Sequence, residues 1–87
     1  MDKDSIRKIL QNPSMEIVNL ALSYVNLTEE ESEVIKLVEM KGKTEERAAE
    51  ILQMSPRNVQ YIKQSAFKKL EVVWSKNLFI SMLLERV

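Results

Sequence analysis

Six side chains within eight residues, Arg57, Asn58, Gln60, Tyr61, Lys63 and Gln64, carry cationic or hydrogen-bonding groups, with no carboxylate among them. An arginine can bond both acceptors of a guanine edge. An asparagine or glutamine matches the donor–acceptor pair of adenine, and each such pair contributes ~1–3 kcal/mol of discrimination between bases. Arg57 fits the first role and Asn58 or Gln60 the second. Tyr61 can serve a base, a phosphate or the rim of a core. Lys63, Lys68 and Lys69, with Lys43 and Thr44 upstream, suit phosphate oxygens, which position a protein on a duplex without reading sequence. The plainer reading of the lysines is a solvated face.

Other chemistry has little to build from. The chain contains no histidine and no cysteine, which removes the usual general base, the commonest metal ligand, disulfides and thiol nucleophiles. No glycine-rich phosphate loop is present. We therefore expect no enzyme activity, no cofactor and no metal site. The absence of cysteine fits a reducing cytosol, so a cytoplasmic location is expected.

Net charge is zero, but it is unevenly distributed. Residues 1–54 hold 11 acids and 7 bases, whereas residues 55–87 hold 6 bases and 2 acids. Ser55–Leu70 alone has four bases and no acid. A local basic stretch on a neutral chain suits modular contact with double-stranded DNA.

A helix must present these groups, and the sequence punctuates one clearly. Ser55 can cap and Pro56 suits the first helical position. Val59, Ile62, Ala66 and Leu70 then recur at helical spacing. Upstream, Thr44 caps a short helix over Glu45–Leu52, in which Ala48 and Ala49 keep the helix thin where the next one crosses it. A tight turn through Gln53 and Met54 joins the two. This is a helix-turn-helix pattern, in which the first turn of the second helix faces a major groove. Before it, Thr28 and Glu31 have capping-box spacing. The helix they start carries Val34, Ile35, Leu37, Val38 and Met40 to about Lys41, and Gly42 is its natural stop.

The flanks also read as helices. Asp4–Gln11 is followed by Asn12-Pro13, read as cap and first helical residue of a second helix over Ser14–Val25, with a wide apolar stripe. From Arg57 to Val87 there is neither glycine nor proline. We expect either a break near Asn77 and a sixth helix, or one long helix. With 87 residues the chain is one domain by length, all-α, with a helix-turn-helix core of about four helices and extra N- and C-terminal helices. Its segments are 1–26, 27–70 and 71–87. No signal peptide is apparent at the start, and Leu78–Leu84 is too short to span a membrane. With only Lys76 and Arg86 as flanking bases, that tail is poorly suited to a membrane surface.

Leu27-Thr-Glu-Glu-Glu-Ser-Glu-Val-Ile-Lys-Leu-Val, the helix-turn-helix, and Val59-x-x-Ile62-x-x-x-Ala66-x-x-Lys69-Leu70 together resemble sigma-70 region 4 over Leu27 to Leu70. They are also similar to LuxR/GerE-type domains and to sigma-like phage regulators of the ArpU type. The resemblance implies a four-helix DNA-binding domain with its last helix in the major groove. The base-reading positions would be Pro56, Arg57, Gln60 and Tyr61, with Asn58, Lys63 and Gln64 beside them. Pro56 and Tyr61 stand where sigma factors usually have hydrogen-bonding or basic residues, so a −35 promoter preference does not carry over. Gln53 occupies a turn position where many such proteins have glycine. No sigma region 2 is present.

The expected role is a sequence-specific DNA-binding transcription regulator, with Ser55–Leu70 as the recognition helix. The alternative is a protein-interaction module that binds RNA polymerase or a sigma factor without reading DNA. The apolar ends exceed what four helices need. They either pack within the chain or form a homodimer through Trp74, Leu78, Phe79 and Leu83, the usual arrangement for reading paired half-sites.

Overall fold

The computed structural model describes residues 1–85, which form helices joined by short turns, with no strand among them. The helices are α1 (Lys3–Leu10), α2 (Met15–Ser23), α3 (Glu29–Val34), α4 (Glu45–Leu52), α5 (Pro56–Trp74) and α6 (Leu78–Glu85), and a π-helical segment, Ile35–Met40, continues α3. Arg86, counted above among the flanking bases, lies outside the described residues.

Side-chain caps set most of the boundaries. Asp2 caps α1 by accepting from the Ser5 N–H at 2.8 Å. Ser14, not Asn12, caps α2, its Oγ accepting from the Ile17 N–H. Pro13 therefore precedes that helix, and the Asn12 side chain accepts from the Ser14 N–H at 2.9 Å in a local turn. Asparagine bonds its own backbone two residues on as readily as it caps, which is why the boundary falls two residues later than Asn-Pro suggests. The break near Asn77 is present, and Asn77 caps α6 through the Ile80 N–H at 3.1 Å.

The chain divides into two compact units, Leu27–Ala66 and Met1–Asn26 with the chain from Phe67 onward. In the second of these, α1 packs against α2 and α6. Ile6, Ile9, Leu10, Val18, Ala21, Val25, Phe67, Leu70, Trp74 and Ile80 are its buried apolar residues. Trp74 is fully buried, and its indole N–H donates to the Ala21 carbonyl at 2.9 Å. Expected at a dimer contact, Trp74 instead turns inward and offers no surface to a second copy. Leu78 is 82% exposed. Phe79 and Leu83 are half-buried, the Phe79 ring lying 6.3 Å from that of Tyr24. The Arg7 guanidinium sits 5.7 Å from the centre of the Phe67 ring, within cation–π range.

In the Leu27–Ala66 unit, Val34, Ala48, Ala49 and Val59 form the buried cluster, with Leu37, Val38, Leu52, Met54 and Ile62 packed against it. The two alanines lie where small side chains let α4 approach its neighbours, as their spacing suggests. The helix started by Thr28 has its full capping box. It does not run to its end as α-helix, because from Ile35 the bonding passes to the wider π pattern. Gly42, at φ +68, ends it in the left-handed conformation that glycine adopts without steric cost.

Candidate nucleic-acid interface

The interface is built on α4, the turn after it, and the first turns of α5. Thr44 Oγ1 accepts from the Arg47 N–H at 3.1 Å and opens α4. At the other end the Gln53 N–H donates to the Glu50 carbonyl and the Met54 N–H to the Ala49 carbonyl at 3.0 Å. This bonding pair closes a helix through a left-handed residue, and here that residue is Gln53, at φ 57 and ψ 48. A side chain in this conformation costs roughly 1–2 kcal/mol. The turn keeps the usual geometry, with glutamine bearing strain that glycine would not. Met54, just past the left-handed residue, packs against the cluster that holds Ala49.

Ser55 Oγ then accepts from the Asn58 N–H at 3.1 Å, and Pro56 begins α5. The start of α5 carries the positive end of its helix dipole and has no acid in its first turn. Val59 is buried and Ile62 packs beside it, which fixes the rotation of the helix. Arg57, Asn58, Gln60, Tyr61 and Gln64 are consequently exposed, Tyr61 to 73%. So exposed a tyrosine does not cover a core rim. The Asn58 amide rests on Met54 Sδ at 3.7 Å, a weak contact that leaves its oxygen unused by that bond.

Not every residue singled out in the sequence is displayed. Lys63 Nζ is 3.1 Å from Glu45 Oε1, and only 19% of its side chain is exposed. It ties α5 to the start of α4 before it can serve a phosphate. Lys43 and Thr44 are exposed just before α4. The Lys43 backbone N–H donates to the Leu37 carbonyl at 2.9 Å, so its position follows from the preceding turn. Lys68 is exposed further along α5, where the chain belongs to the other compact unit, and Lys69 is half-buried there.

Two contributors have no signal in the sequence. Glu45 has the sequence signature of a helix start and no more, yet it holds Lys63. Ser65, unremarked in the sequence, donates to Glu31 Oε2 at 2.8 Å and anchors α5 to the start of α3. Neither contact has a local signature, because the partners lie 18 and 34 residues apart.

Taken together, the surface can offer one arginine fork, three amides and a phenol from a single helix, with a lysine and a capped helix start nearby. These groups bind and orient by hydrogen bonding. Among the described residues no cluster of ligands for a metal ion is present, and no helix is long and apolar enough to cross a membrane. The family model for sigma-70, region 4, matches residues 25–70, more than half of the chain. No curated protein and no solved structure matches it.

Proposed function

Since this chain belongs to the sigma-70 region 4 family, a DNA-binding helix-turn-helix domain, we propose that it is a sequence-specific transcription regulator that places the start of α5 in the major groove. The observation that carries this reading is the exposed face formed by Arg57, Asn58, Gln60, Tyr61 and Gln64 on a helix rotated by Val59 and Ile62. Arg57 reads a guanine edge and the amides read adenine edges. Lys43, with the backbone N–H groups at the capped start of α4, holds phosphate.

A second reading has its own support. The Leu27–Ala66 unit holds eight acids against six bases, and Glu29, Glu30 and Glu33 are exposed on α3. Such a surface repels a polyanion and suits a protein partner, RNA polymerase or a sigma factor, bound without reading DNA.

Salt-dependent binding to promoter-containing and random duplexes separates the two. DNA reading requires affinity to fall steeply with salt and specificity to weaken in Arg57→Ala. Salt-insensitive or absent DNA binding, with retention on immobilised polymerase, would establish the second reading instead.

A further inference from the structure

The surface formed by α2 and α6 takes no part in the DNA reading. Leu20 on α2 and Tyr24, the residue that closes it, are 45% and 42% exposed, and Leu78 and Met82, one turn apart on α6, are 82% and 52% exposed. The Tyr24 and Phe79 rings, 6.3 Å apart and tilted by 52°, bring the end of α2 beside the start of α6. Single exposed apolar residues are ordinary, but four on two adjoining helices of a small protein point to a contact surface.

Charge indicates what covers it. In a chain with 30% charged residues, residues 17–28 and 77–84 contain none. DNA or an anionic membrane surface attracts bases, and an acidic partner would be matched by lysines, yet neither stretch has any. A twofold contact has the opposite requirement. Each side chain near the axis meets its own copy, so any charge there faces a like charge. A neutral apolar patch is complementary to itself.

We propose that the α2–α6 face, centred on Tyr24, Leu78, Phe79 and Met82, is a homodimer interface that a second copy of this chain covers. Asn19 and Ser23, exposed on α2, supply a polar rim without introducing charge. Trp74 is inside the protomer and plays no direct part.

Sedimentation equilibrium of the full chain over a wide concentration range, at low and high salt, tests this. The expected result is a dimer whose affinity changes little with salt and falls at least about tenfold in Leu78→Glu and in Met82→Glu. Circular dichroism should show both variants folded, since each side chain is more than half exposed. Ile51→Glu changes an exposed apolar residue of α4 and should leave the dimer intact. A monomer at the highest concentration would overturn the proposal. So would a salt-labile dimer, or one weakened by Ile51→Glu and not by the α6 variants.

Discussion

Ser65 Oγ donates to Glu31 Oε2 at 2.8 Å, while the other oxygen of that carboxylate accepts from the Thr28 N–H, also at 2.8 Å. Glu31, 4% exposed, thus caps α3 and holds α5 against it. Thr28 completes the box by accepting from the Glu31 N–H. A buried carboxylate is tolerated where its oxygens are hydrogen-bonded, and both are here.

Glu31→Ala removes both functions and should lower stability by about 2–3 kcal/mol. Ser65→Ala removes only the tie to α5. It should cost about 1 kcal/mol or less, because alanine also favours the helix. Urea titration of the two variants checks the difference; equal losses would mean that the cap contributes nothing beyond the tie.

Gln53 holds a left-handed backbone that glycine adopts freely. Gln53→Gly should stabilise the protein by roughly 0.5–1 kcal/mol after the added unfolded-state freedom is offset. Gln53→Val, branched at Cβ, should destabilise it. Thermal melts of the three chains should rank glycine above glutamine above valine.

Glu45 withholds Lys63 from the interface. In Glu45→Gln the ammonium loses its charged partner, so DNA affinity at low salt should rise. The slope of log K against log salt should steepen by about 0.9, one further phosphate contact. Lys43→Ala should make that slope shallower by a similar amount. Arg57→Ala should cost ~1–3 kcal/mol on the preferred site and much less on random DNA. An unchanged slope in Glu45→Gln would show that Lys63 does not reach the backbone even when released.

Trp74 is the one tryptophan in the sequence and is fully buried. Its emission should be blue-shifted in the native state and resist iodide quenching, then shift red on unfolding. Trp74→Phe leaves a void and removes the bond to the Ala21 carbonyl, for an expected loss of about 2–4 kcal/mol.

Local chemistry made much of this architecture legible from the sequence. Thr28, Thr44 and Ser55 cap where their spacing indicates, Gly42 stops its helix, and the break before α6 falls near Asn77, because each is decided by a few adjacent residues. The start of α2 shifted by one or two positions because asparagine has two competing local bonds. The π segment could not be read, since Val34, Ile35, Leu37 and Val38 satisfy an apolar stripe in either helical form. The exposed face of α5 followed from the period of Val59 and Ile62. The capture of Lys63 by Glu45, the anchoring of Ser65 on Glu31 and the inward turn of Trp74 depend on distant partners, and no spacing rule reports them.

The π turns of Ile35–Met40 bear on how this chain tolerates changes in length. A π turn winds in one residue more than the α turn it replaces, so the segment carries a surplus between the Thr28 cap and the Gly42 stop. Losing one residue there can be absorbed by return to α bonding, with both ends of the helix kept in place. Losing one from α4 has no such reserve. When the loss falls before Ala48, every later side chain of that helix rotates by roughly 100°, carrying Ala48 and Ala49 out of the packed cluster.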